Sequence, residues 1–396
     1  MKDQGPRQGS GPPFGASAVM PRAHCDARAP DAAGQLARAL GPGPFATVML
    51  FVSPEADLDR LAASLPAAFG ETPVIGCTTA GEIGASGYVE GEIVALAFPA
   101  GAFATDSLTI DLSRIDAQDL IGTMIRSRAT LAAQHPGWHN EFAFLMVDGL
   151  SIREDELTAA LGPGLGPMPL FGGSAGDGTR FLETFVLSQG SFRQGAAVLT
   201  LVRTSCRVKV FSLDHLVPTE RRMVVTEADP ANRIVRRINA EPAAREYARL
   251  LGKDPGQLTT FTFAAHPVVV RIGGKHHVRA IQRMAPNGDL VFFSAIDEGL
   301  VLTLAEPQDM AVHLEAALTG LSEGGTPAAI LACDCILRRM EAQEKQRYGA
   351  VSALLRDHAV TGFSTYGEQL NSMHVNQTMT GVALYLPEDA AEDAGA

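Results

Sequence analysis

The chain predicts an α+β protein, with layered β-sheets flanked by helices in two associated domains. Three observations carry that expectation. A glycine-centred stretch occurs three times, at residues 73–82, 169–177 and 359–368. Each copy follows a buried-strand pattern and then a helical one. Each is followed by a further strand-like run, so a unit of strand, helix, glycine turn and strand recurs. The paired glycines are Gly76 and Gly81, Gly172 and Gly173, and Gly362 and Gly367, and the copies end on Glu82, Asp177 and Glu368. Glycine suits such corners because it adopts positive φ without steric cost.

Residues 1–40 are rich in Gly, Pro, Ala and Arg and predict a disordered leader. Regular pattern begins with a strand over 47–53, a helix over 55–65 that Pro66 should end, and a strand over 93–98 after the first glycine turn. The second unit reads as a strand over 141–148, a helix over 153–161, the second turn, and paired strands over 181–187 and 196–202. A different region, about 205–325, carries an arginine cluster (Arg221, Arg222, Arg233, Arg236, Arg237), a helix over 241–251 and an antiparallel meander that begins at Phe261. The third unit predicts a strand over 328–333, one long helix over 337–357, the third turn and a strand over 379–386. Residues 389–396 read as an acidic, alanine-rich tail.

Length and charge limit the function classes. A chain of 396 residues accommodates two or three domains, and 46% hydrophobic residues supply a sizeable core. A net charge of −12 without a long basic run argues against nucleic acid or an anionic membrane as the main partner. The five cysteines (Cys25, Cys77, Cys206, Cys333, Cys335) are odd in number and dispersed, unlike a disulfide framework. No apolar run reaches the ~18 residues of a spanning helix, and the N-terminus lacks a signal-peptide core. A soluble cytoplasmic protein is expected.

Taken together, the chain resembles the FIST family. The N-terminal likeness rests on residues 74–82 (VIGCTTAGE) and 170–177 (LFGGSAGD). The C-terminal likeness rests on His266-Pro267, residues 334–338 (DCILR), 362–368 (GFSTYGE) and 374–380 (HVNQTMT). The resemblance implies an N domain over 41–204, a C domain over 205–388 and a role as an intracellular sensory module. Residues 334–338 and 374–378 are most similar to a bacterial branch of haem-binding nitric-oxide sensors. That branch regulates a partner histidine kinase and, through it, cyclic-di-GMP or biofilm output. Other members are suspected of binding small metabolites such as amino acids, and a pure interaction scaffold is the third alternative.

His374 is the first candidate ligand of the iron of a non-covalent haem b, since a neutral imidazole binds iron when its other nitrogen is held. The alternative is a structural histidine at a strand end. His266 is the runner-up, with the same alternative before Pro267. Arg338 is a candidate for a haem propionate or a ligand carboxylate, or else part of a charged face. Cys333 and Cys335 form a C-x-C pair that is either a thiol site or two core cysteines. Covalent haem is not expected, because C-x-x-C-H is absent. Residues 172–176 match G-x-S-x-G around Ser174, but no helix pattern follows, so no enzyme is expected.

Overall fold

A strand, a helix, a strand, a helix and four more strands form the first unit. They are β1 (Arg22–Asp26), α1 (Ala32–Leu40), β2 (Phe45–Val52), α2 (Leu58–Phe69), β3 (Val74–Thr78), β4 (Glu82–Gly84), β5 (Gly87–Val89) and β6 (Glu92–Pro99). The second unit has the same order: β7 (Phe103–Asp111), α3 (Ala117–Gln134), β8 (Asn140–Val147), α4 (Glu154–Leu165), β9 (Leu170–Ser174), β10 (Val186–Ser188), β11 (Ser191–Arg193) and β12 (Ala196–Thr204). The third unit starts with β13 (Arg207–Leu213) and is then interrupted. The insertion comprises β14 (Leu216–Asp229), β15 (Ile234–Ile238), β16 (Glu241–Pro242), α5 (Ala243–Leu251), α6 (Thr260–Ala265), β17 (Val268–Ile272), β18 (Lys275–Val278), β19 (Ile281–Met284), β20 (Leu290–Phe292) and β21 (Val301–Pro307). The third unit resumes with α7 (Met310–Gly320), β22 (Ala329–Cys335), α8 (Ile336–Glu344), α9 (Tyr348–Asp357), β23 (Val360–Thr365), β24 (Glu368–Leu370), β25 (Met373–Val375) and β26 (Met379–Tyr385). This computed structural model describes residues 19–272 and 274–386.

The three units build three sheets of one topology: β1-β6-β2-β3-β10-β11, β7-β12-β8-β9-β24-β25 and β13-β26-β22-β23-β4-β5. The short hairpins are exchanged in a ring. The hairpin of unit 1 completes the sheet of unit 3, that of unit 3 completes unit 2, and that of unit 2 completes unit 1. In each unit the glycine strand runs parallel to the first central strand, joined by a helical crossover. Gly76, Gly172 and Gly362 lie opposite Leu50, Leu145 and Ala332. A Cβ at any of them would overlap the carbonyl oxygen of that partner, so close strand approach requires these glycines. Gly81, at φ +119, is the corner glycine the sequence suggested.

One face of every sheet packs into a shared core that includes Phe51, Phe144, Phe171, Phe363 and Val382. Phe51 stacks on Phe363 at 4.5 Å and meets Phe144 edge-on at 6.5 Å. The other faces are covered by each unit's own helices. The insertion has its own core around Val225, Tyr247, Phe263 and Leu304. It packs on the repeats through Ala264, Val278, Phe293, Ile336 and Tyr366.

Several expectations are corrected. Residues 22–40 are not a disordered leader. β1 pairs with β6, and Ala32, Leu36 and Leu40 bury one helical stripe. Alanine-rich composition here makes a helix rather than a linker. Residues 1–18, Gly273 and the expected tail at 389–396 lie outside the described residues. Pro66 sits inside the last turn of α2, because its carbonyl still accepts from Gly70. The expected helix over 337–357 is two helices, with Gln346 at φ +56 in the break. Phe261–Phe263 is helical, started by a capping box between Thr259 and Thr262. The expected strand over 181–187 shrinks to Val186–Ser188, since Asp177 gathers the amides of Phe181, Leu182 and Glu183 into a loop. That strand pairs with β3 and β11 rather than with β12.

Candidate functional site

The repeat exposes one copy that breaks the pattern. Strand register makes Ile83, Leu187 and Gln369 equivalent, because each faces the strand glycine of the neighbouring sheet. Across their hairpins these residues face Tyr88, Phe192 and His374. Two copies are therefore apolar–aromatic, while the third is Gln369–His374 in a buried place. Gln369 is 0% and His374 3% exposed. The Tyr88 hydroxyl donates to Asp334. The unit-2 residue equivalent to Asp334 is Val147, so His374 has no such acceptor.

Three residues further along, Gly91 and Gly195 adopt φ +74 and +61, and the third copy has Gln377 at φ +49. A left-handed non-glycine residue costs about 1–2 kcal/mol, and such positions cluster at functional sites. Gln377 is fully buried, and its amide donates to the Ala264 carbonyl of the insertion at 2.7 Å.

Unmet hydrogen-bonding capacity collects at the same place. Twelve buried side-chain polar atoms lack a partner among the described residues, and five belong to the third hairpin and its flank. They are Gln369 Oε1, His374 Nε2, both amide atoms of Asn376, and Gln377 Oε1. The insertion contributes Arg279 Nε and Ser294 Oγ. Each such group costs about 1–3 kcal/mol unless something binds it. Around them Arg233 bridges Glu154 at 2.7 Å and Asp155 at 3.1 Å, and Asp155 accepts from the Ala295 amide. Burial pushes the His374 pKa down against the pull of Glu154 and Asp155, with Arg233 and Arg279 adding to the fall, so the ring is neutral. Gln369 Nε2 donates to Ser174 Oγ at 2.9 Å and lies 3.3 Å from His374 Nδ1. In that amide orientation Nδ1 accepts and Nε2 carries the proton. Arg279 and Asp155 are partly exposed and give the cluster its contact with solvent.

The motif carboxylates divide two to one. Glu82 accepts from the Thr79 hydroxyl and the Glu92 amide, and Glu368 from the Thr365 hydroxyl and the Thr378 amide, at equivalent positions. Burial pushes Glu82 up to about 7 and Glu368 up to about 8. Asp177 differs, serving the 181–183 loop and the Tyr366 hydroxyl. Gly173 lies in β9 against Cys333, and Gly367 lies against His374.

The other sequence candidates lie apart. Arg338 is held in a buried ion network, with Nη2 left unpaired. Its Nε meets Asp334 at 2.7 Å and its Nη1 meets His215 Nδ1 at 2.9 Å, and His215 continues to Glu341 at 2.9 Å. This is a fully buried structural relay. His266 caps the C-terminus of α6 rather than following a strand, and burial lowers its pKa. Cys333 belongs to the shared core and Cys335 to the insertion contact, and burial raises both thiols well above the ordinary range. They are inert core cysteines. Ser174 lies within β9, which no helix follows, so it is not on a nucleophile elbow. Sequence reasoning found His374 and the arginine cluster holding Arg233. It missed Gln369, Arg279 and Ser294, whose signal is visible only once the three hairpins are aligned.

Haem fits one atom here and not its surroundings. His374 Nε2 is buried and unpaired, as an iron ligand must be. However, the place a Gly367 Cβ would occupy is 2.8 Å from both His374 Nε2 and Asn376 Nδ2, so on that side there is no space for a macrocycle. The neighbours are amides and an arginine rather than the apolar faces a porphyrin packs against. The residues present do not fit a porphyrin. Among the described residues no group of three His, Cys, Asp or Glu side chains could hold a metal ion.

The buried, unsatisfied polar groups thus gather where the third hairpin meets the insertion. The FIST N domain matches residues 46–241 and the FIST C domain residues 243–371, and the chain belongs to the FIST family. FIST domains are sensory modules of signal transduction. The two matches meet at 241–243, inside the inserted sheet, whereas the sequence placed the division at 204–205. A comparison with curated proteins gives no match. Among the described residues, no helix is long and apolar enough to cross a membrane.

Proposed function

We propose that the protein senses a small polar metabolite carrying a carboxylate, of the amino-acid class, bound between the third hairpin and the inserted sheet. The observation that supports this is the buried Gln369–His374 pair standing where the other two hairpins are apolar. Arg279 Nε pairs with the carboxylate, while His374 Nε2–H and the Asn376 amide take the remaining polar groups. Gln377, held to Ala264, links occupancy to the position of the insertion. The insertion is then the moving part, and its shift is read by a partner protein. Following the family resemblance, we take that partner to be a histidine kinase. The check is kinase autophosphorylation with and without the ligand-loaded protein.

The test is a thermal-shift panel of the amino acids and of small dicarboxylates. At about 100 times Kd, a ligand of the folded state adds about 2.7 kcal/mol. Arg279→Met should abolish the response while leaving the unliganded transition near wild type. A parallel sample reconstituted with haem is expected to show no Soret band dependent on His374. A Soret band that responds to nitric oxide and is lost in His374→Ala would replace the metabolite reading with the haem one.

A further inference from the structure

We propose that the groove between units 1 and 2 docks an arginine side chain of a partner protein, carried on an extended segment. The groove is a cavity of about 370 Å³ between β7 and the start of β3. β7 and the third hairpin are opposite edges of the sheet of unit 2, so this place is separate from the His374 cluster.

The repeat shows what the groove lacks. Strand register makes Arg22, Ser107 and Val210 equivalent. They lie on the edge strands β1, β7 and β13, opposite Leu96, Thr200 and Val382. Those rows cross each sheet to the residue before the strand glycine, which is Ile75, Phe171 or Thr361. Between units 3 and 1, Arg22 Nη1 crosses the junction and donates to the Ala359 carbonyl at 3.2 Å and the Thr361 hydroxyl at 3.0 Å. Between units 2 and 3, Val210 packs against the shared core that holds the Phe171 ring. Between units 1 and 2, the short Ser107 stands where Arg22 stands in the first unit, and there the cavity opens beside Ile75.

The lining suits a guanidinium on an aliphatic stem. Leu65, Pro66 and Val74 form an apolar wall, and the Thr72 and Ser107 hydroxyls are partly exposed acceptors. Asp106 is exposed, and among the described residues that line the groove it alone is charged. A carboxylate with no cation beside it selects against anions and for a cation, and arginine matches it with a planar fork of donors. The net charge of −12 draws a basic partner toward the chain. Among the described residues β7 pairs with β12 alone, so its outer edge can take the backbone of the docking segment. A residue of that segment opposite Ser107 points to the same face of the sheet, over the groove.

The test is titration calorimetry of the full chain with a capped peptide, acetyl-TVRVT-amide, with its citrulline analogue and with free propylguanidinium. One-to-one binding of the arginine peptide is expected with Kd below about 1 mM, and the other two should bind at least about tenfold more weakly. Ser107→Arg copies the first unit into the second, so it should fill the groove with the chain's own guanidinium and abolish peptide binding. Asp106→Lys, at an exposed position, should weaken the peptide at least about tenfold without touching the core. The proposal is overturned if folded wild type does not bind the arginine peptide, if the citrulline peptide binds as well, or if binding is unchanged in either folded variant. Propylguanidinium binding as tightly as the peptide would also overturn it, since the site would then serve a free alkylguanidine rather than a partner chain.

Discussion

Replacing Glu368 by glutamine should make the protein more stable at alkaline pH and flatten its pH dependence. The Glu368 carboxyl is 0% exposed, and burial pushes its pKa from 4.5 up to about 8, against hydrogen bonds from Thr365 and Thr378. Between those two values the folded protein holds a proton that the unfolded chain has released. Unfolding therefore sheds a proton, and stability falls as pH rises through this window. At 1.36 kcal/mol per unit, the full shift corresponds to at most about 5 kcal/mol. Glutamine keeps the shape and cannot ionise. Its carbonyl can accept from Thr378 while its amide donates to the Thr365 hydroxyl. The assay is urea unfolding of both proteins from pH 4.5 to 8.5. The curves should nearly coincide at the acid end and separate by several kcal/mol at the alkaline end, with Glu368→Gln the more stable. Parallel curves across the range would refute the reasoning. Glu82, raised to about 7, is common to both proteins and cancels in the difference.

Three further outcomes follow from the geometry. Gly362→Ala should destabilise by about 3 kcal/mol or more, since its Cβ would overlap the Ala332 carbonyl inside a paired strand; chemical denaturation checks it. Arg338→Met should cost about 3–5 kcal/mol by stranding Asp334 in the interior, and Asp334→Asn in the same background should recover part of it. Gln377→Gly should stay within about 1 kcal/mol of wild type, because relief of the left-handed conformation offsets the lost bond to Ala264, yet ligand response should fall.

The repeat was legible because its glycines are forced. A parallel strand lies so close to Gly76, Gly172 and Gly362 that no side chain fits, and this leaves a mark in sequence. The exchange of hairpins between units left none, since pairing between Ile83 and Gly362 depends on contacts across the whole chain. For the same reason His374 could be found by its place after the third turn, but the contrast with Tyr88 and Phe192 could not. The place of Arg338 was not legible, because an arginine in a motif reads alike whether it faces a ligand or a buried Asp334. The ordered segment 22–40 was missed because alanine-rich composition serves both helix and linker, and only the β1–β6 ladder decides.

If the third hairpin keeps Gln369 and His374 for a ligand and against stability, copying the second hairpin into it should raise stability and end the ligand response. The most direct measurement is unfolding of the double variant Gln369→Leu, His374→Phe, which copies the second hairpin into the third, with and without the ligand found in the panel. Removing two stranded polar groups should make the unliganded variant about 1–3 kcal/mol more stable than wild type, and ligand should no longer shift its transition. A variant that is less stable than wild type and still responds to the ligand would contradict the account.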